Sequence, residues 1–572
     1  MYGLSLIIPI LLFNSIQTGS ANDHLQCQSW CHSQPAVQIN DGCLCGTKMD
    51  GLEAGPFDAF VGIPFAKPPV GRLRFANPVP IDPWKRYLNA STTKSMCIQK
   101  YDIFPLATIR GQEDCLYLNV YRPKKCKHKK LPVMVYIHGG GYIGESADPL
   151  VLGPEKFMDT RKVIIVTLQY RLGPFGFLAS DDRSAPGNFG LKDQSLALRW
   201  VQGNIESFGG DRRRVTLFGH SAGAASVQLH MMSPLSEGLF SKAISQSGSA
   251  LAFWGREYPD QLGLVRKLAV AAEVKGAERM SSEKLITALR KVDASKLLAS
   301  VDKLKFWNNQ PIILFRPVAE KYVDDETFIK EDPKELWAAG RYRKIPWMTG
   351  YLPNDGIAVL LSLFVDQLEP FIKNQQELLP LLADVPPSSV PLLYKKFFGG
   401  NPISPENAFA LTQVVSEVGF QYPMMESILQ HLINDPQSEA PVSLYYINFK
   451  GRYSCSAMFP LFTGPDSGAC HAEELMYLFR QPIQYMDFPK DSPEAAMSRL
   501  LVHEWINFAL KGSLTVPHRE STGRPSQHIE MVEFTNSDNA AGVTTVYRDF
   551  KDARIEKLWN LLRWWNIVKQ KL

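Results

Sequence analysis

Two nearly unbroken apolar runs stand out along the first part of the chain, LPVMVYIH from Leu131 to His138 and VIIVTLQY from Val163 to Tyr170. Neither shows the alternation of a half-buried strand, and both predict strands covered on two faces, as in a mostly parallel sheet. Shorter β-rich runs, AFVGIPFA and CLYLNVY, precede them. In LKDQSLALRWVQGNIESFG, Leu191 to Gly209, the apolar positions open out to helical spacing, and Gly209-Gly210 predicts the end of the helix. RVTLF then predicts another strand, which runs into small residues and a second helical candidate. Strand, helix, strand, tight turn and helix in that order predict an α/β fold, an open and mostly parallel sheet flanked by helices.

The second half returns to the same rhythm. Charged helical pieces and loops fill Ser281 to Glu335, and KIPWMTGYLPNDG, Lys344 to Gly356, predicts a strand followed by a turn. QELLPLLADVPPSSVPLLY predicts a helix broken by proline, and PVSLYYINF, Pro441 to Phe449, predicts a further strand. The C-terminal IEKLWNLLRWWNIVKQKL predicts an amphipathic helix packed on the body, with a membrane surface or a partner as the other use of its tryptophans. No repeat or low-complexity linker divides the chain, so residues 22–572 are expected to form one large domain. At the start, the apolar run Leu4 to Phe13 is too short to span a bilayer and leads to Gly19-Ser20-Ala21. It predicts a cleaved signal peptide over residues 1–21 and a secreted product.

Composition narrows the partners. A hydrophobic share of 45% with 21% charged residues is ordinary for a globular protein, and a formal charge of +5 is small for 572 residues. The basic cluster Lys124 to Lys130 reads as a solvated turn, and nothing resembles a base-reading module, so no nucleic-acid partner is expected. No later apolar stretch is long enough for a membrane span, and membrane association is not required. The pattern specifies no oligomeric state.

Nine cysteines lie beyond the leader. In an oxidising compartment Cys97 and Cys115 can close a loop worth about 3 kcal/mol in chain entropy. Cys27, Cys31, Cys43 and Cys45 crowd the mature N-terminus and can pair among themselves, while Cys126, Cys455 and Cys470 have no assignment. The odd total leaves at least one cysteine free or joined to another chain. The spacings Cys27-x-x-x-Cys31 and Cys43-x-Cys45 are poor for structural zinc, and no histidine pair completes them. Asn89-Ala90-Ser91 is a glycan acceptor if the chain is secreted.

The candidate chemistry begins at Gly219-His220-Ser221-Ala222-Gly223, which has the G-x-S-x-G form between a predicted strand and a predicted helix. A sharp turn there needs small residues on both sides and pushes the Ser221 hydroxyl into the open as a nucleophile. His220 adjoins the serine, but neighbouring side chains on such a turn point apart, so it is expected to shape the pocket rather than act as base. The oxygen that turns negative during attack needs donors. YIHGGGY, Tyr136 to Tyr142, follows a core strand and lets backbone N–H groups approach a substrate: Gly140, Gly141 and, after the serine, Ala222 are the expected oxyanion donors.

FVGIPFAKPPVGRLRF, EDCLYLN, HGGGY, YRLGPFGF, PGNFGLKDQSLALRWVQGNIESFGGD, GHSAGAASV and SQSGS together resemble the type-B carboxylesterases of the α/β-hydrolase fold, a group that includes cholinesterases and insect esterases. The likeness runs from Phe60 to Ser249 and continues more loosely towards the C-terminus. It implies a secreted, glycosylated serine hydrolase with a Cys97–Cys115 disulfide, Ser221 as nucleophile and no metal or organic cofactor. It also places the catalytic histidine at His471, in GACHAEELMYLF; His230 and His503 sit in helical patterns instead. The family's acid, a glutamate before glycine, matches Asp355 in PNDGIAV, one methylene shorter; Glu320 and Asp324 are the alternatives.

The implied substrate is a small-molecule ester. In cholinesterases the first disulfide loop carries a tryptophan and an acidic residue precedes the serine; here CIQKYDIFPLATIRGQEDC has no tryptophan and His220 takes the acidic position. Both changes favour neutral carboxylic esters over choline esters. Insect juvenile hormone esterases resemble the same stretches, with Gln where this chain has His220 and Glu as the acid, so a terpenoid ester is the alternative. A catalytically silent adhesion relative is the non-enzyme alternative; its usual mark, loss of the serine, histidine or glycines, is missing.

Overall fold

The computed structural model describes residues 21–100, 108–124, 130–307, 310–357, 359–360, 367–437, 440–454, 468–515, 531–548 and 553–569. The expected signal peptide up to residue 20, most of the Lys124 to Lys130 cluster, Cys126 and Cys455 lie outside the described residues.

Among the described residues eleven strands form one sheet. In chain order they are β1 (Thr47–Asp50), β2 (Pro56–Pro64), β3 (Tyr117–Pro123), β4 (Leu131–Ile137), β5 (Ile164–Leu168), β6 (Gly210–His220), β7 (Lys242–Gln246), β8 (Trp347–Tyr351), β9 (Val442–Asn448), β10 (Met531–Asn536) and β11 (Val543–Arg548). Across the sheet the order is β1-β2-β3-β5-β4-β6-β7-β8-β9-β10-β11. Every pairing from β5 through β10 is parallel, and the antiparallel pairs lie towards the two edges. This is the α/β-hydrolase arrangement anticipated above.

The missing alternation in the central strands has a direct cause. Val133, Val135 and Ile137 of β4 enter one apolar cluster, with residues of the helices Phe189–Asn204 and Ala222–Met232. Met134 and Tyr136, on the other face, enter a second cluster with the helices Glu473–Leu478 and Pro493–Lys511. Each such side chain gains roughly 1.5–3 kcal/mol on burial, so both faces select apolar residues.

Smaller features fix the ends of the chain. Cys27 bonds Cys43 and Cys31 bonds Cys45, which fastens the helix Ala21–Cys31 to the strand Gly42–Cys45. Disulfide bonding accounts for the close approach of the sulfurs of Cys27, Cys31 and Cys43. Cys97 bonds Cys115, as the resemblance implies. At the other end, the helix Ala553–Lys569 buries Ile555, Leu558, Leu561, Leu562, Trp565 and Val568. Its Trp565 Nε1 donates to Glu417 Oε2 at 3.0 Å, and Lys396 Nζ stands 4.0 Å over the Trp564 ring. The apolar face of this helix is thus spent on the body. Among the described residues no helix is long and apolar enough to cross a membrane.

Candidate active site

Strand β6 ends at His220, the helix Ala222–Met232 starts two residues later, and Ser221 alone makes the turn, with φ 57° and ψ −120°. A non-glycine residue in such a region costs about 1–3 kcal/mol and persists only where its surroundings hold it. Here Ser221 N donates to Gln246 O of β7 at 2.8 Å, and Ser221 O accepts from Ala225 N at 3.0 Å. The glycines are required by contact: a Cβ at Gly219 would stand 2.6 Å from Gly223 O and 2.8 Å from Ile137 O, and one at Gly223 would collide with Ile137 O.

The glycine turn after β4 meets this elbow directly. A Cβ on Gly139 would lie 2.6 Å from His220 O and 3.1 Å from the Ser221 Cβ. Gly140 and Gly141 both have positive φ, 82° and 60°. Gly140 O accepts from Ile143 N and Gly144 N, which closes the turn. The N–H groups of Gly140, Gly141 and Ala222 take no acceptor among the described residues, and the first N–H of a helix has no partner within its own helix. Behind the turn, His138 stacks on Tyr170 with ring centroids 4.4 Å apart, and Tyr170 OH donates to His138 O at 2.9 Å. Burial pushes the His138 imidazole down to about 4, so this histidine is neutral packing.

Asp355 sits in the turn after β8, and His471 follows β9 just before the helix Glu473–Leu478. His471 Nδ1 lies 2.9 Å from Asp355 Oδ1, although 116 residues separate them. Asp355 is fully buried, and its second oxygen accepts from Leu352 N at 3.0 Å. Both carboxylate oxygens are therefore occupied, which fixes the plane presented to the imidazole.

The other candidates are engaged elsewhere. Glu320 is buried in an ion pair with Lys192 Nζ at 2.7 Å and accepts from Asn188 Nδ2 and Phe328 N. Asp324 accepts from Glu326 N and Thr327 in an exposed turn. His230 spends both ring nitrogens, on Ser236 Oγ at 2.6 Å and Gln194 Oε1 at 2.8 Å, and His503 is exposed on its helix.

His220 is buried, with its ring centroid 4.4 Å from that of His471. Burial first, and then the neighbouring His471, holds its imidazole well below the ordinary histidine range, so it is neutral at physiological pH. Its Nε2 lies 3.9 Å from Glu474 Oε1. Glu474 is fully buried, and burial followed by the charge of Asp355 pushes its carboxyl up to about 8. Nothing in the sequence singles out Glu474 beyond its place, with Glu473, in the acidic first turn of an otherwise apolar helix, three positions after His471.

An apolar recess flanks the glycine turn, lined by Ile98, Ile143, Pro174, Leu298, Leu314 and Phe315. Lys100 also lines it and is paired with Asp302 at 2.5 Å. Part of the Cys97–Cys115 loop, residues 101–107, lies outside the described residues.

Comparison with known proteins gives a consistent picture. The model of the carboxylesterase family matches residues 33–546. Juvenile hormone esterase of Tribolium castaneum is 38% identical over 84% of this chain and 84% of its own length. Venom carboxylesterase-6 of Apis mellifera is 33% identical over 89% of this chain and 92% of its own. Among solved structures, juvenile hormone esterase from Manduca sexta, with OTFP covalently attached, superposes with a TM-score of 0.78 at 26% identity, covering 94% of this chain and 99% of that one.

Proposed function

The chain belongs to the carboxylesterase family and is a serine hydrolase of carboxylic esters, and from that premise we propose that Ser221, His471 and Asp355 perform the hydrolysis. The observation that carries the assignment is the 2.9 Å contact between His471 Nδ1 and a fully buried Asp355. Asp355 and His471 follow the C-terminal ends of β8 and β9, as the Ser221 elbow follows that of β6, in the parallel part of the same sheet.

Ser221 attacks the ester carbonyl while His471 takes its proton through Nε2; Asp355 fixes the tautomer and stabilises the imidazolium. The N–H groups of Gly140, Gly141 and Ala222 receive the negative oxygen. The alcohol leaves with the proton from His471, and water then repeats the cycle on the acyl-enzyme to release the carboxylate. Conversion of His471 to Gln tests the base: esterase turnover is expected to disappear while the circular dichroism spectrum is kept.

His220 supports the pocket. Its Nε2 has no hydrogen-bond partner among the described residues and its ring is neutral, while the carboxylate that would orient a base is held by His471. H220Q is expected to keep kcat/KM for a simple ester within about tenfold while changing the ranking among esters. Measurement over a panel of esters checks this; a loss equal to that of H471Q would make His220 a member of the catalytic set.

The substrate we infer is a neutral ester. The recess beside the oxyanion turn is apolar, and its lysine is already paired. A choline head would leave water without a carboxylate at position 220 or a tryptophan in the Cys97–Cys115 loop to receive it. At equal subsaturating concentration, an uncharged ester is expected to be turned over at least about tenfold faster than acetylcholine, which needs about 1.4 kcal/mol. Parity would contradict the inference. A terpenoid ester is the second reading, favoured by the 38% identity to the Tribolium castaneum juvenile hormone esterase, and the panel includes one.

We further propose that the product is secreted, with residues 1–21 removed, a glycan at Asn89 and one catalytic domain over residues 22–572. The disulfides Cys27–Cys43, Cys31–Cys45 and Cys97–Cys115 and the exposure of Asn89 support export; strands drawn from Thr47 to Arg548 into one sheet support the single domain.

A further inference from the structure

Between the helices Ala410–Ser416 and Tyr422–Asn434, residues Glu417–Gln421 wind as a π-helical turn. A π turn widens the helix and weakens its ladder, so it needs outside partners, and such turns recur at functional sites. Here the partners are specific. Gly419 O accepts from Trp254 Nε1 at 2.8 Å. The Glu417 carboxylate accepts from Trp565 Nε1 of the C-terminal helix and is ion-paired with Lys396.

What this turn and the residue before it present is equally specific. Ser416 Oγ accepts from Gly356 N at 2.8 Å, which ties down the residue next to Asp355. Phe420, buried, lies with its ring 4.8 Å from the His471 ring and 5.7 Å from the Trp254 ring. The residue beside the acid is thus braced from the helix residue that leads into the π turn, and the base from the turn itself.

His471 is bound to Asp355 through a single ring nitrogen. One hydrogen bond leaves an imidazole free to swing about it, and the rings packed against it, His220 at 4.4 Å and Phe420 at 4.8 Å, restrict that motion. We propose that Phe420, held out by the π turn, is a positioning residue for His471, keeping the imidazole in the one orientation in which Nε2 faces Ser221. The proposal rests on the assignment of His471 as base.

A misplacement of about 1 Å costs on the order of a hundredfold in rate, so even a partial loss of this cover is measurable. The experiment compares the full-length wild-type protein with F420A, F420L, W254F and H471Q on one uncharged ester, with a thermal melt for each. F420A is expected to lose at least about tenfold in kcat with KM within threefold, and F420L, which restores apolar bulk, to return within about threefold of wild type. An F420A protein that keeps kcat and raises KM alone would make Phe420 a substrate contact and overturn the proposal; so would equal kcat losses in F420A and F420L. Should F420A fail to fold, W254F carries the test, because it removes the hydrogen bond to Gly419 O and keeps a ring in place. A fall in its kcat at unchanged KM is expected, and a wild-type kcat would overturn the proposal. H471Q separates the two readings: an active H471Q would remove the base assignment itself, whereas an inert H471Q beside an F420A of normal kcat would remove only the role of Phe420.

Discussion

Ser221→Ala is expected to lower ester turnover by about 10⁴-fold or more while leaving the fold intact. The substitution removes one oxygen and adds nothing, and the contacts that hold the turn, Ser221 N to Gln246 O and Ala225 N to Ser221 O, belong to the backbone. Alanine tolerates this strained turn no better and no worse than serine. What disappears is the nucleophile, so no acyl-enzyme forms and the residual rate is that of water held near the Gly140, Gly141 and Ala222 donors. Steady-state turnover of an uncharged ester, together with the burst of alcohol release on mixing, checks both stages. A variant that retains turnover, with contaminating esterase excluded by a nucleophile titrant, would take Ser221 out of the mechanism.

Asp355→Asn is expected to cost about 10⁴-fold in turnover with a circular dichroism spectrum like that of wild type. Asp355 uses one oxygen on His471 Nδ1 and the other on Leu352 N. An asparagine has one oxygen for two donors. If it serves Leu352 N, its NH₂ faces His471 Nδ1 and forces the proton onto Nε2, the nitrogen that must accept from Ser221. If it serves His471, an NH₂ opposes the buried Leu352 N–H. The first arrangement leaves both groups bonded and is the one expected, which makes the variant a tautomer error. Glu320→Gln is the contrasting control: it breaks a buried pair with Lys192, a change that costs on the order of 3–5 kcal/mol in stability, and leaves the His471 partner untouched. An active D355N beside an inert but folded E320Q would transfer the acid role to Glu320.

The parts of this site that were legible in the sequence are those written in adjacent residues. Gly219 to Gly223 announces an elbow because steric demand, strand and helix all fall within one short stretch, and the three glycines after β4 announce exposed N–H groups for the same reason. The strands β4 and β5 were legible because burial on two faces removes alternation. Asp355 needed the resemblance, since nothing local separates it from Glu320; only the fold brings β8 beside β9 and sets the two side chains together. Cys27, Cys31, Cys43 and Cys45 allowed several pairings until the helix Ala21–Cys31 was laid on its strand. Phe420 and Glu474 were not legible. The π turn that presents Phe420 is held by Trp254, Lys396 and Trp565, partners from three separate places in the chain, and Glu474 matters through burial beside Asp355 and His220.

The strand order also sets when the protein can begin to act. The glycine turn and the elbow rest on β4, β6 and β7, all present early in synthesis, whereas His471 follows β9 and Trp565 belongs to the last helix. At a ribosome adding about 5–20 residues per second, tens of seconds pass between the emergence of Ser221 and that of His471. On the roles proposed for Ser221 and His471, the nascent chain during that interval carries a nucleophile with no base to activate it. On those roles a newly made molecule stays chemically quiet while the first seven strands are threaded and folded, and gains ester hydrolysis only once β9 and His471 have joined the sheet.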